Sequence, residues 1–127
     1  MWELDYTDHV LFQLTGQHTR PYFRPPFGSR NARVLRIAAR SGFRSVFWTL
    51  DSGDWLQNAT AAGVTTKVLR FAEPGDIVVM HVASEATAAA LPGILEGVQA
   101  QGWRVGTVSE ALGLPLAEPA LQSAEDN

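Results

Sequence analysis

Short apolar runs that alternate with helical patterns constrain the fold of this chain more than any other feature. Three of these runs are rich in β-branched and aromatic residues and too short for helices: Ser45–Leu50, Ile77–Val82 and Trp103–Val108. Such runs are typical of buried strands. Strands that alternate with helices form parallel sheets with right-handed crossovers. The sequence therefore predicts an α/β fold with a parallel sheet.

Apolar residues at helical spacing, with glycine at several of the ends, predict the helices. The predicted segments are Leu4–Thr15, Ala32–Ser41, Thr65–Phe71, Glu85–Gln101 and Ser109–Leu112. We expect Asn31 to cap the second of these helices and Ser109 to cap the last. Pro92 and Gly93 are expected to bend or split the fourth. Arg20–Gly28 has three prolines in nine residues and predicts an extended segment with a rigid turn.

The composition excludes several kinds of protein and site. With 127 residues, 46% of them hydrophobic, the chain is long enough for one domain with a core. A net charge of −3 without a basic block argues against nucleic acid as a partner. The chain has no cysteine, which excludes disulfides and thiolate metal sites. No apolar run approaches the roughly 20 residues that span a bilayer, so we expect no membrane partner.

The composition of the two ends of the chain bears on export and on the extent of the domain. The first residues, MWELDYTDHV, are acidic and lack the basic segment of a signal peptide. If the protein is exported, we expect the signal to lie outside this chain, and the localisation stays open. Residues 1–115 are expected to form the domain, and the polar, acidic stretch 116–127 is predicted to be a flexible tail.

Candidate chemical groups lie at the predicted ends of strands, where parallel α/β folds place their catalytic residues. Asp51 and Asp54 follow one strand, and His81 stands near the end of the next. A buried carboxylate beside an imidazole fixes its tautomer and leaves the other ring nitrogen to act as an acid. Two simpler interpretations stay open. The carboxylates could only close a turn or cap a helix, and the histidine could be an ordinary core residue.

Four motifs carry a resemblance to a known family. In chain order they are RPPFG-x-x-N (Arg24–Asn31), W-x-x-D-x-x-D-W (Trp48–Trp55), GDIVVMH (Gly75–His81) and GWRVGTVSEAL (Gly102–Leu112). Their order and spacing resemble those of the polysaccharide deacetylases with a NodB-type domain, carbohydrate esterase family 4. The resemblance covers residues 11–112, nearly the whole chain.

The resemblance implies a fold and a reaction. The fold is a deformed (β/α) barrel, of which this chain would form a part with three to four parallel strands and flanking helices. The family's reaction is the hydrolysis of the acetamido C–N bond of N-acetylglucosamine units by water bound to a divalent metal, usually zinc. A complete (β/α)₈ barrel typically needs about 250 residues. We therefore expect this chain to be a truncated, C-terminal portion of such a domain.

By the same resemblance, three residues take catalytic roles. His81 resembles the general acid that protonates the leaving amine. Asp54 resembles the carboxylate that holds this histidine. Arg24 resembles the arginine that orients the catalytic base, and its guanidinium suits bidentate pairing with a carboxylate.

Three further residues would contact the substrate. The Phe27 backbone N–H would stabilise the oxyanion, which a backbone donor can do although the family usually has tyrosine there. Trp55 would form a wall of the acetyl pocket. Val79 stands in that wall where the family more often has leucine.

The sequence departs from the family in its metal and base motifs. It contains neither an Asp-Asp pair nor a His-x-x-x-His segment, and its other histidines, His9 and His18, are not expected to be ligands. A catalytic metal site needs at least three converging protein groups. We therefore expect no metal ligand and no cofactor in this chain alone, although the complete family domain would hold zinc.

These observations predict the C-terminal part of a metal-dependent polysaccharide deacetylase that is inactive alone. The expected partners are a carbohydrate polymer and either further copies of the chain or a missing N-terminal half. An alternative is a non-catalytic carbohydrate-binding or structural remnant, in which Trp48, Trp55 and Phe27 stack on sugar rings. An unrelated α/β fragment with coincidental motifs is a third interpretation.

Overall fold

The strands of this protein are short and pair in parallel, two by two. Strand β1 (Tyr22–Phe23) pairs with β2 (Arg44–Ser45), and β3 (Leu50–Asp51) pairs with β4 (Val78–Val79). Each pair is joined by a crossover that contains a helix, as parallel pairing requires. The parallel α/β arrangement predicted from the sequence is therefore confirmed.

The computed structural model describes residues 2–114, which divide into two units between Phe47 and Trp48. The first unit contains α1 (Trp2–Thr15), β1, a 3₁₀ turn (Pro26–Gly28), α2 (Ala32–Arg40) and β2. The second contains β3, α3 (Ala61–Phe71), β4, α4 (Glu85–Ala100) and α5 (Val108–Ala111). The tail predicted over 116–127 lies outside the described residues. Within residues 2–114, none of the helices combines the length and apolarity that a membrane crossing requires.

The helices begin where the sequence supplies a cap. The Asn31 side chain accepts a hydrogen bond from the Val34 N–H at 2.9 Å, as predicted for α2. The hydroxyl of Thr60 accepts from the Gly63 N–H at 3.1 Å, so α3 begins four residues earlier than its apolar spacing indicated. These side chains satisfy backbone donors that the first helical turn leaves unpaired.

The core of the second unit lies between α3 and α4. Val64 and Val68 from α3 pack against Ala90 and Ile94 from α4, and all four are buried. The two helices approach closely at Gly97, where an added Cβ would overlap the Leu69 side chain. Helix α4 runs without interruption through Pro92, so the split expected there is absent.

In the first unit, Phe43 is the large buried side chain. It contacts Phe23 edge-on, with 6.2 Å between the ring centroids. The Arg20 guanidinium lies over the Phe43 ring, 4.5 Å from the ring centroid, in a cation–π contact. Ala38 of α2 is buried in the same unit.

The strand predictions were longer than the strands. The run Ser45–Leu50 contains the end of β2 and the start of β3, with irregular chain between them, and Ile77–Val82 contains only β4. The predicted strand Trp103–Val108 is wrong, because residues 103–107 form no strand and Val108 starts α5. A strand needs a partner to hydrogen-bond, and the described residues pair none with this segment.

The cap predicted for the last helix was also wrong. Thr107 caps α5, and its hydroxyl accepts from the Glu110 N–H at 3.3 Å while Glu110 Oε2 accepts from the Thr107 N–H at 2.6 Å. This reciprocal capping box satisfies two backbone donors at once. Ser109, the predicted cap, instead lies buried inside the helix.

Candidate active site

The parallel pairing of β3 and β4 brings two of the predicted site residues together. Asp51 lies opposite Val79 in the register, so the chain leaves both strands at the same edge. Asp54 follows β3 and His81 follows β4. His81 Nδ1 lies 2.9 Å from Asp54 Oδ1, and the His81 backbone N–H donates to Asp54 Oδ2 at 2.6 Å. The contact predicted between these two side chains is present.

Asp54 is a buried carboxylate whose acceptors are satisfied by the protein. Its side chain has no solvent exposure, whereas the His81 side chain is 39% exposed. The Thr87 hydroxyl donates to Asp54 Oδ2 at 2.5 Å. Burial raises the pKa of the Asp54 carboxyl, but hydrogen bonds from Thr87, His81 and Ser52 outweigh it and lower the pKa to about 2. Asp54 is therefore ionised at neutral pH.

The first turn of α4 lies against this pair. The Ser84 hydroxyl caps the helix by accepting from the Thr87 N–H at 3.2 Å, and it donates to the Asp54 carbonyl oxygen at 3.0 Å. Sequence analysis missed both residues. Ser84 directly precedes the helix predicted from Glu85, and a serine in that position is a capping signal, but it does not reveal the contact with Asp54.

The geometry determines which nitrogen of the histidine can do chemistry. An ionised carboxylate can only accept hydrogen bonds, so the His81 Nδ1 facing Asp54 carries a hydrogen. The second nitrogen, Nε2, is left as the position that accepts or donates a proton toward a bound molecule. This is the arrangement of a histidine held for general acid–base work.

Asp51 and Trp55 form a second contact in the same turn. The Trp55 indole N–H lies 3.1 Å and 3.2 Å from the two oxygens of the Asp51 carboxylate, and 62% of the residue is exposed. The Gly53 N–H donates to Asp51 Oδ1 at 2.7 Å, and Gly53 has a φ of 77°. Asp51 thus closes the turn, as one of the simpler interpretations held, and also fixes the exposed tryptophan. Neither carboxylate caps a helix, since Thr60 caps α3.

The remaining predicted residues lie as follows. Val79 is buried in β4, with 6% exposure. Arg24 and Phe27 lie in the first unit, directly after β1 and in the 3₁₀ turn, and both are exposed. Phe27 has a φ of 57°, a left-handed conformation that costs a non-glycine residue about 1–3 kcal/mol and that clusters at functional sites. Their catalytic and binding roles stay predictions.

A buried carboxylate that sequence analysis missed lies in the first unit. Asp8 of α1 accepts from His18 Nδ1 at 2.9 Å, from the Thr19 N–H at 2.7 Å and from Arg20 Nη1 at 2.6 Å. Burial raises the pKa of Asp8, but the hydrogen bonds from Thr19, His18 and Arg20 lower it to about 2. These contacts tie the middle of α1 to the chain that enters β1. A helical face that mixes acidic with apolar residues gives no sign of which acid is buried.

The described residues do not fit the family's metal. Among residues 2–114, no three His, Asp or Glu side chains lie close enough together to hold an ion. His18 faces Asp8, and His9 is exposed on α1. A divalent metal would need at least three converging protein groups. Residues 2–114 therefore do not hold such a metal by themselves.

Comparison with known proteins gives several relatives. The chain is 36% identical over 110 residues to the peptidoglycan-N-acetylglucosamine deacetylase PgdA of Listeria monocytogenes, covering 87% of this chain and 22% of that protein. No protein-family model matches the chain.

Solved structures share the fold. A CE4 family pseudoenzyme from Bacillus anthracis is 32% identical with a TM-score of 0.78, over 86% of this chain and 38% of that one. A mutant of that pseudoenzyme with restored enzymatic activity gives the same TM-score. A family 4 carbohydrate esterase from Streptomyces lividans, in complex with acetate, is 31% identical with a TM-score of 0.76.

The chain spans only part of each relative. The match with the S. lividans esterase includes 91% of this chain but only 59% of that one. The matched shares of the other two proteins are smaller. The fold is accordingly part of the deformed β/α barrel of these enzymes. This chain belongs to the polysaccharide deacetylase family, carbohydrate esterase family 4, and forms a portion of its domain.

Proposed function

We propose that this chain supplies the general-acid part of a polysaccharide deacetylase active site, and that it acts with the remainder of the domain on N-acetylglucosamine units of a carbohydrate polymer. The observation that carries the proposal is the contact between the buried, ionised Asp54 and the half-exposed His81. It gives a histidine with one nitrogen held by the protein and one available to a substrate. The peptidoglycan deacetylase relative indicates the class of substrate.

The reaction assigned to this pair is the second half of amide hydrolysis. Water gives one proton to a base that this chain does not provide and adds to the acetamido carbonyl carbon, which gives a tetrahedral intermediate. When the C–N bond of that intermediate breaks, the nitrogen takes the proton from His81 Nε2 and leaves as the amine, and acetate is the other product. The Asp54 carboxylate stabilises the imidazolium before the transfer through the 2.9 Å contact with Nδ1.

Other residues of the chain would bind the substrate. The exposed Trp55 indole, held by Asp51, offers an apolar face to the acetyl group or the sugar ring, and Val79 would lie in the same wall. The Phe27 N–H would donate to the oxyanion, and its strained backbone supports a functional role. Arg24 would orient a base carboxylate that this chain does not provide.

The chain alone is expected to lack activity. The sequence contains neither the Asp-Asp pair nor the His-x-x-x-His segment of the family, and residues 2–114 hold no cluster of three potential ligands. In this proposal the base and the zinc come from the part of the domain that this chain does not span. The general acid can therefore work only in a complementing partner or a longer chain.

Complementation tests the proposal. The part of the S. lividans esterase that this chain does not match is produced together with this chain, and acetate release from N-acetylglucosamine oligomers is measured. We expect release that His81→Ala abolishes and His9→Ala leaves unchanged, because His9 is an exposed residue of α1 and has no role in the proposed reaction. A stable complex that releases no acetate would contradict the catalytic proposal.

The likeness to the B. anthracis pseudoenzyme favours a second candidate, a non-catalytic carbohydrate-binding remnant. The feature of this chain that supports this candidate is the exposed Trp55, which could stack on a sugar ring without any reaction. Titration of the chain with N-acetylglucosamine oligomers, followed by tryptophan fluorescence and compared with Trp55→Ala, detects this binding. Binding by the chain together with an inactive complemented complex would favour the remnant.

A further inference from the structure

We propose that Thr87 is a positioning residue for the general acid, fixing the Asp54 carboxylate in the orientation that holds the His81 ring. The inference rests on the function proposed for His81 and assigns a residue that none of the family motifs in the sequence contains.

The two oxygens of Asp54 are held by different groups. Oδ1 lies 2.9 Å from His81 Nδ1. Oδ2 accepts from the His81 backbone N–H at 2.6 Å and from the Thr87 hydroxyl at 2.5 Å. Because the Asp54 side chain has no solvent exposure, water cannot replace a lost donor there. The two donors to Oδ2 therefore help to set the rotation of the carboxylate, and with it the direction of Oδ1 toward the ring.

Helix α4 fixes the Thr87 hydroxyl. Thr87 lies in the first turn of the helix, and its N–H is bound by the Ser84 hydroxyl, which also donates to the Asp54 carbonyl oxygen. A β-branched side chain has few χ1 rotamers, so the hydroxyl direction follows the helix backbone. The helix in turn is held by Ala90 and Ile94 in the core. The hydrogen bonds of Ser84 and Thr87 therefore couple the position of α4 to that of Asp54.

The charge of Asp54 depends on the same hydrogen bond. Burial opposes the ionised form, and the Thr87 hydroxyl is the strongest of the groups that oppose this effect and lower the pKa of Asp54. Without it, the carboxylate would be easier to protonate and less firmly oriented. The Nδ1–H tautomer of His81 would then lose its fixed acceptor.

The test uses Thr87→Val, which keeps the shape and removes the hydroxyl, and Thr87→Ser, which keeps the hydroxyl. Thr66→Val, at an exposed position on α3, is the matched control. In the full 127-residue chain, carbon-13 NMR of the Asp54 carboxyl gives its pKa, and nitrogen-15 NMR of the His81 ring gives the tautomer. We expect Thr87→Val to raise the Asp54 pKa by about one unit and to reduce the Nδ1–H tautomer. Thr87→Ser and Thr66→Val should preserve both values.

These readouts separate the inference from the proposed function. If both NMR values respond but the complemented complex releases no acetate, the positioning role stands and the catalytic proposal fails. If both values in Thr87→Val equal those of the parent, the positioning role is overturned whatever the activity. Thr87→Ala serves where Thr87→Val does not fold. Loss of the fold in both, with Thr66→Val intact, would make Thr87 a structural residue and also overturn the inference.

Discussion

Asp54 is a fully buried carboxylate that carries its charge at neutral pH, and its hydrogen bonds make that charge compatible with burial. His81 binds its two oxygens through the ring and the backbone N–H, and the Thr87 hydroxyl adds a further donor. Removing such an acceptor leaves buried donors without a partner. The resulting loss of folding free energy is larger than the net stabilisation that the hydrogen bonds provide. The residue should therefore affect stability as well as the chemistry of the histidine.

The pKa of Asp54 predicts a dependence of stability on pH. Its folded value of about 2 lies below the unfolded value of about 3.9, so the charged form stabilises the folded chain. This contribution, of order 2 kcal/mol, is fully present above about pH 4 and is lost as the pH falls toward 2. Urea unfolding of the parent chain and Asp54→Asn at several pH values measures it.

The difference in unfolding free energy between parent and Asp54→Asn should shrink as the pH falls through this window. Glu96→Gln, at an exposed position of α4, is the control and should show no comparable change. A difference that stays constant from pH 6 to pH 2 would contradict the lowered pKa.

Helices α3 and α4 are in close contact, and two glycines of α4 differ in how much room an added methyl group would find there. At Gly97 an added Cβ would overlap the Leu69 side chain, whereas at Gly93 the nearest atom, Thr65 Cγ2, lies at an ordinary 3.8 Å. Both residues are helical, so the helix propensity of alanine favours each substitution equally. The difference between the two variants therefore measures packing.

We expect Gly97→Ala to destabilise the chain by about 1–3 kcal/mol, since an overpacked interface must shift to accept the methyl group. Gly93→Ala should instead be neutral or stabilising by up to about 1 kcal/mol. Chemical denaturation of both variants gives the two values. Equal changes in unfolding free energy for the two variants would contradict a close contact between α3 and α4 at Gly97.

At the scale of the whole molecule, large apolar side chains remain on the surface of a chain that spans part of its family's domain. They include Trp2, which stacks on Tyr6 at 4.9 Å, and Leu14 at the end of the same helix. Large exposed apolar patches mark interaction surfaces. We therefore predict that the chain associates with itself or with a complementing segment. Sedimentation from 1 to 100 µM tests this, and a monomer at every concentration would contradict self-association.

Metal binding also belongs to the whole molecule, because a zinc site needs groups from several elements. We predict no tight, stoichiometric zinc binding by the isolated chain. Calorimetry with zinc chloride is the measurement. A submicromolar site that survives His81→Ala but is lost in His9→Ala would show that the N-terminal histidines are ligands after all.

The sequence by itself determined the features that depend on neighbours along the chain. Helix α2 was predictable because its cap, Asn31, bonds a backbone group three residues away, and helical hydrogen bonds join residues four apart. The family, and the pairing of Asp54 with His81, followed from motifs and from the rule that parallel strands end at one edge.

Only the tertiary structure decided what depends on distant partners. Strand length was overestimated because each strand exists only where another backbone pairs with it, and no described residues pair with 103–107. Thr87 and Asp8 looked like ordinary polar helix residues. The carboxylate bound by Thr87 lies 33 positions earlier in the chain, and Asp8 is buried by a segment about ten residues later. Local pattern cannot reveal such contacts, because the energy that selects them is the burial of a charge by groups the fold brings together.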